Sequence, residues 1–487
     1  MKTTLLATVG ILIYFVLLMW VVVRSKRSNT LEEYFMGGRQ LPFWMLSLTF
    51  IASWWGAGSA LSTADMAFTD GVSSYWIYGM PVLFSTFLMI LLAKAIRRIP
   101  VLTQPQMMTM RYNKLVGVLM SIAIFLFMTI TAASQMVGIG SFFVGFLGLS
   151  YEWGVILGTG IVLIYSLFGG FKGVVITDII QFFFLGAAAI IVCWVGYQHA
   201  GGWEGIQEAA LTADKPFYFD FYHNIGNNLV YVITFGAAWM IQANVWQRIM
   251  ATRNDTDARK MTVMSFIVYI PLYFIAVVTG MAALALYKDM PEGGVIPGIV
   301  RDYMSPVLGV FVFVGICSAI MSTMDSLINT GAMVLTKDVY SLYINKNAND
   351  KQLIRMSMLS TAIVTCIGLV IALRIRSILD VSWIAADLLS TGCFVPLVLG
   401  FLWKRGTAAG ALSSIVAGSS FSIYNLLAQF GLRLPVAWEP NSAKQVMIGM
   451  GLALVVYVFV SLFTRSDEQT TKANVFIAKA RNKYTDF

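Results

Sequence analysis

Ala319, Ser322, Thr323 and Ser326 stand at i, i+3, i+4 and i+7 of a largely apolar run from Gly315 to Tyr340. On a helix this spacing puts three hydroxyls in one row on one face. Hydroxyls alone in such a helix pack against neighbours or bond back to their own carbonyls. Asp325 beside them changes the reading, because a carboxylate in hydrocarbon costs about 2.5–3.5 kcal/mol on insertion scales and marks an ion or solute path. The chemistry indicated is coordination and passage, with no bond made or broken.

The rest of the chain supplies a membrane setting. Of 487 residues 58% are hydrophobic and 12% charged, and the mean hydropathy is +0.76, so the apolar surface is buried in lipid. Segments of about 20 apolar residues predict an all-α polytopic membrane protein of thirteen helices, near 4–23, 42–65, 74–96, 116–146, 153–168, 174–198, 224–246, 262–286, 304–336, 356–373, 380–402, 408–431 and 445–464. With the N-terminus outside, the inner segments (24–41, 97–115 with Lys94, 169–173, 247–261, 337–355, 403–407 and 465–487) carry 25 of the 33 Lys and Arg. That bias is the one expected of a bacterial-type inner membrane protein with a cytoplasmic C-terminus.

Two spans are interrupted. The second holds Gly56 and Gly58 around Ala57, and the seventh holds Gly236, Gln242 and Asn244. Glycine in a membrane helix often serves close packing. Two broken helices five spans apart also predict inverted five-helix repeats, about 42–198 and 224–402, with a midplane site between them. The helices 4–23, 408–431 and 445–464 are additions within one transmembrane domain, 1–464, followed by a short cytoplasmic tail, 465–487. At about 1.5 Å per residue, Trp55 and Ser322 both lie roughly 20 Å from the inner side and Asp178 roughly 8 Å. Unwound carbonyls near Trp55 are thus expected to face the hydroxyl row.

Other classes find little support. The net charge of +9 follows the inner loops and does not form a nucleic-acid surface. Cys193, Cys317, Cys366 and Cys393 lie in apolar runs without paired spacing and read as packing residues. His199 and His223 share one loop and receive no role. Residues 4–23 precede a basic cluster and lack a cleavage site, so they read as a retained helix and not a secretory signal. No phosphate-binding glycine loop, HExxH or nucleophile elbow argues for an enzyme.

Four stretches resemble the sodium:solute symporter family, which contains sodium–proline, sodium–glucose, sialic acid and choline transporters. They are LEEYFMGGRQLP at 31–42, SLFGGFKGVVITDIIQ at 166–181, QANVWQRIMATRND at 242–255 and AIMSTMDS at 319–326, and they occur in family order. The resemblance implies a leucine-transporter-type fold with helices 2 and 7 broken. It also implies a co-transported sodium held by backbone carbonyls of Ala52, Trp55 and Ala319 and hydroxyls of Ser322 and Thr323. Sodium needs several hard oxygens in place of its water, and a broken helix frees carbonyls for that. A possible second sodium site maps to Asp178, Ser322, Asp325 and Ser326, where Asp325 departs from the hydroxyl of two-sodium members. Asp178 also reads as an inner-end carboxylate bound to backbone amides or an Arg. Solute contacts are expected from Ser53, Trp54, Gly56, Ser59, Tyr75, Tyr78, Gln135, Trp239 and Gln242. Trp54 is either a cation–π face for an amine or packing.

The function expected is sodium-driven import of a small organic solute by alternating access, an amino acid or amine first and a monocarboxylate behind it. A ligand sensor is disfavoured by a tail of about 23 residues after Thr464. A channel is disfavoured by the absence of a repeated pore loop. No motif calls for an obligate protein partner.

Overall fold

A computed structural model describes residues 2–24, 30–429 and 443–481. Among them the secondary structure is helical, apart from an isolated parallel bridge between Leu41 and Thr252. The helices are α1 (Lys2–Arg24), α2 (Leu31–Met36), α3 (Phe43–Ala52), α4 (Thr63–Asp70), α5 (Gly79–Arg98), α6 (Gln104–Arg111), α7 (Lys114–Leu147), α8 (Tyr151–His199), α9 (Gly202–Thr212) and α10 (Ile225–Met240). They continue with α11 (Ala243–Met250), α12 (Asp255–Leu286), α13 (Val295–Tyr303), α14 (Pro306–Val334), α15 (Asp350–Arg374), α16 (Ile378–Leu389), α17 (Val395–Leu402), α18 (Ala408–Gln429), α19 (Ala443–Phe463) and α20 (Asp467–Ala480).

Among the described residues, nine helical runs are long and apolar enough to cross a membrane, or ten when α10 and α11 count as one bent span. Shorter apolar helices at Thr8–Arg24, Phe43–Ala52 and Tyr151–Leu167 stand where the first, second and fifth spans were predicted. Short polar helices fill several connections because their ends are satisfied locally. The Thr30 hydroxyl accepts from the Glu33 amide at the start of α2, and Thr103 accepts from Gln106 at the start of α6.

Spans 2 and 3 are continuous through a π turn at Gly58–Ser62, α4 and a tight turn at Gly71–Trp76. The expected loop at 169–173 is a reversal at Gly170, whose φ of 52° and ψ of −171° split α8 into the two stretches predicted as the fifth and sixth spans. A side chain there would be strained and would press on the Tyr34 ring at 3.0 Å.

The interior is built on α14. With its π-helical extension to Ile344 it is 78% buried over its apolar window, whereas α18 is 33% and α19 28% buried. A helix enclosed on all sides can carry polar groups inward without meeting lipid, provided each finds a partner. One boundary differs from the sequence reading. The segment after 246 was counted as an inner loop, yet α11 continues to Met250 and buries Gln247 and Arg248 completely.

Candidate functional site

The first break opens after Ala52. Residues 53–56 leave the α-helical pattern before a turn of π-helix begins at Gly58. Gly56 is required by the approach of two other helices. A Cβ at this position would lie 2.2 Å from the Gln135 side-chain oxygen and 2.7 Å from the Thr323 hydroxyl. Gln135 on α7 holds the break by accepting the Ala57 amide at 2.7 Å.

The Ala52 carbonyl, at the end of α3, is met by the hydroxyl row of α14. The Ser322 hydroxyl lies 2.8 Å from it and 3.0 Å from the Ala319 carbonyl. The Thr323 hydroxyl lies 3.2 Å from each of the same two oxygens. Four oxygens from two helices thus converge at a position where none of the four residues is more than 3% exposed. Both alternatives for these hydroxyls are realised, since each bonds back to its own helix and across to the broken one. Trp55 belongs to the same break and is 1% exposed, with its amide bonded to the Ile51 carbonyl at 3.0 Å.

The second break separates α10 from α11 by a 46° bend at Ile241 and Gln242. Between the two breaks lies a small cavity of about 30 Å³, lined among others by Trp54, Gly56, Ser59, Tyr78, Gln135, Trp239 and Gln242. These seven were expected from the sequence. Ser53 and Tyr75 are not part of the lining. The Ser53 hydroxyl turns back to the Phe50 carbonyl (3.1 Å), and Tyr75 reaches the Ile270 carbonyl (3.2 Å).

Aromatic rings crowd the cavity. Trp54 meets Trp239 edge-on at 6.0 Å and Tyr269 at 5.8 Å. Trp239 stacks on Phe235 at 4.8 Å with the planes 2° apart. The Trp54 indole nitrogen and the Gln242 side-chain oxygen are buried without a hydrogen-bond partner among the described residues. They offer one donor and one acceptor to a solute.

Deeper toward the basic loops is a charged cluster. Asp178 on α8 accepts the Arg248 guanidinium from α11 at 3.2 Å and the Thr49 hydroxyl from α3. The same guanidinium donates to the Ser326 hydroxyl on α14 at 2.6 Å and to the Asn244 carbonyl at 2.9 Å. Asp325 accepts the Ser166 hydroxyl at 2.7 Å. Asp178, Arg248 and Asp325 are each at most 1% exposed. One buried cation therefore faces two buried carboxylates, and among the described residues Asp178 Oδ1 and Asp325 Oδ2 have no hydrogen-bond partner. Of the four residues expected at a second ion site, Asp178 and Ser326 share Arg248, while Ser322 belongs to the Ala52 and Ala319 oxygens. An Arg partner for Asp178 was one of the two sequence alternatives.

The sequence reading missed Arg248, Thr49 and Ser166 in the cluster, and Phe235, Tyr269, Thr131 and Ser382 at the cavity. Arg248 carried a signal, since it stands only six positions after Gln242, in the short helix that directly follows the break. The aromatic residues carried none, as Phe and Tyr are common throughout the apolar spans.

Comparison with known proteins gives a consistent result. Residues 34–418 match the sodium:solute symporter family. The high-affinity proline transporter PutP of Bacillus subtilis is 27% identical over 91% of this chain and 95% of its own length. A sodium/proline symporter of Staphylococcus aureus is 27% identical over 98% and 95%. The sodium/glucose cotransporter of Vibrio parahaemolyticus is 24% identical over 93% and 88%. Among solved structures, a substrate-bound, outward-open Na+-coupled sialic acid symporter superposes with a TM-score of 0.80 at 18% identity, covering 94% of this chain and 98% of that one. MhsT in complex with L-phenylalanine gives 0.55 at 15% identity over 86% and 98%. These two likenesses concern the fold.

Proposed function

Because the chain belongs to the sodium:solute symporter family, we propose that it imports a small amino acid or amine with sodium, by alternating access around the buried site between the two broken helices. The observation that carries this reading is the convergence of the Ala52 and Ala319 carbonyls with the Ser322 and Thr323 hydroxyls. Sodium sheds its water only where several oxygens replace it, and a helix interrupted at mid-depth supplies carbonyls that an intact helix withholds. Each hydroxyl turns its proton away and presents a lone pair when the cation arrives. Trp55 contributes the fifth oxygen through its carbonyl.

The solute binds among Trp54, Gly56, Ser59, Tyr78, Gln135, Trp239 and Gln242. Among the described residues no Lys or Arg lines this cavity, whereas indole and phenol faces do, which favours an ammonium group over a lone carboxylate. The relatives named as proline transporters support the amino-acid class. A monocarboxylate is the second reading, and there sodium would be the counter-ion. A second sodium binds at the charged cluster, where the surplus carboxylate and the two unpartnered oxygens offer it charge and ligands.

In this reading the chain crosses a bacterial inner membrane thirteen times, N-terminus outside. Spans 2–6 and 7–11 form two inverted repeats, about 42–198 and 224–402, and helices 4–23, 408–431 and 445–464 flank them. Reconstitution in liposomes with an inward sodium gradient and a panel of labelled amino acids, amines and monocarboxylates tests it. Accumulation that follows the sodium gradient is the expected result. Uptake indifferent to sodium, or accumulation of a monocarboxylate alone, overturns the lead reading.

A further inference from the structure

Outside the transport site, at the ends that carry the basic loops, α3, α5 and α12 enclose a groove of about 570 Å³. Its α12 wall changes character along one helical face. Arg259 and Lys260 come first, and Val263, Met264 and Ile267 follow at spacings of three and four. Lys94 of α5 closes the cationic end, and Phe43, the first residue of α3, lies with its ring 5.7 Å from the Lys260 ammonium.

Within the described residues the three cations are not locked into ion pairs. Asp255, which also feels the charge of Lys94, is paired with Arg98 at 2.5 Å, and Asp257 faces Asn254 at 3.4 Å. Among the described residues no ion pair involves Lys94, Arg259 or Lys260. Arg259 and Lys260 are exposed, and Ile267 is 59% exposed in a stretch that the topology sets in hydrocarbon.

A soluble anion would fit the cationic end but would leave the apolar floor uncovered. An acidic peptide would meet the charges but bury carboxylates against Val263 and Ile267, at a cost in free energy. An amphiphile satisfies both ends at once. We propose that this groove binds an anionic phospholipid, its phosphate held by Lys94, Arg259 and Lys260 and an acyl chain laid along Val263, Met264 and Ile267. The groove is built partly on α3, the helix whose far end presents the Ala52 carbonyl. A seated lipid therefore bears on the inner half of the first broken helix.

The test uses the full chain purified in detergent with equal amounts of phosphatidylglycerol and phosphatidylcholine, and counts retained lipid by native mass spectrometry. Phosphatidylglycerol is expected to be retained in preference, and the preference should fall roughly tenfold or more in Lys94→Gln/Arg259→Gln/Lys260→Gln. Removing three other basic-side charges, Lys346→Gln/Lys351→Gln/Arg355→Gln, should leave it unchanged. Ile267→Asn should weaken retention of both lipids, and excess inorganic phosphate should displace neither. Equal loss in the two charge triples would reduce the effect to general surface charge and overturn the proposal. So would displacement by phosphate, or retention that is indifferent to headgroup. Should the first triple fold poorly, Arg259→Gln and Lys260→Gln singly must each give a smaller loss of the same sign.

Discussion

Ser322 and Thr323 were legible because they share one helix, where spacing alone sets the face. Replacing either by Ala removes one of the converging oxygens. An interaction between a hydroxyl and a charged partner is worth about 1.5–3 kcal/mol, so the sodium concentration for half-maximal uptake should rise about tenfold or more. Normal sodium dependence in both variants at normal expression would remove the assignment. Trp54 separates recognition from packing. If an ammonium group sits on its face, Trp54→Leu should weaken solute binding more than Trp54→Phe, by part of an attraction of about 0.5–2 kcal/mol. Equal dissociation constants at saturating sodium would leave Trp54 as packing. An Arg partner for Asp178 was one reading of the sequence, but which Arg it is was not legible, since 70 positions separate Asp178 from Arg248. Taking away one member of a buried pair costs about 3–5 kcal/mol because the other is stranded. Arg248→Gln should therefore lower thermal stability more than Arg248→Gln combined with Asp178→Asn. The opposite order would show that the pair is not mutually dependent.

At the scale of elements, both breaks were readable from glycine and amide side chains inside apolar runs, and the reversal inside α8 from the short segment at 169–173 between two apolar runs. The start of the inner loop after span 7 was misjudged for a physical reason. Basic residues normally mark the end of a span, but Arg248 is neutralised inside the bundle, so charge no longer marks the boundary. The break itself can be tested through volume. Gly56→Ala places a methyl carbon where Gln135 and Thr323 already stand, so the amide that Gln135 holds must move. Uptake should be lost while the protein still inserts. Gly186→Ala on α8, where nothing lies within 4 Å, should keep uptake and gain up to about 1 kcal/mol of helix propensity. Full activity in Gly56→Ala would mean the break tolerates a side chain and is not held as described.

For the whole molecule, the uneven Lys and Arg distribution implies an orientation that a reporter can check. One active only outside the cytoplasm should be active when fused within 202–212 and silent when fused after 465. The reverse pattern would invert the molecule and the depths argued from it. The central cavity, about 30 Å³, has room for little more than water. Cavities of about 380 Å³ lie beyond it, one beside Asp65 and Arg376 and another beside Asp338 and Lys346. A solute larger than water can enter only if the rings that close the middle separate. Those rings include Trp54 and Trp239, the latter stacked on Phe235, which in turn meets Trp383 edge-on at 5.5 Å. Parting the Trp239 and Phe235 rings changes the surroundings of an indole, and indoles emit light whose colour and yield depend on those surroundings. The chain thus carries its own optical gauge of occupancy. Adding the transported solute in sodium should shift the intrinsic emission of the unmodified protein, and in Trp239→Phe the shift should shrink.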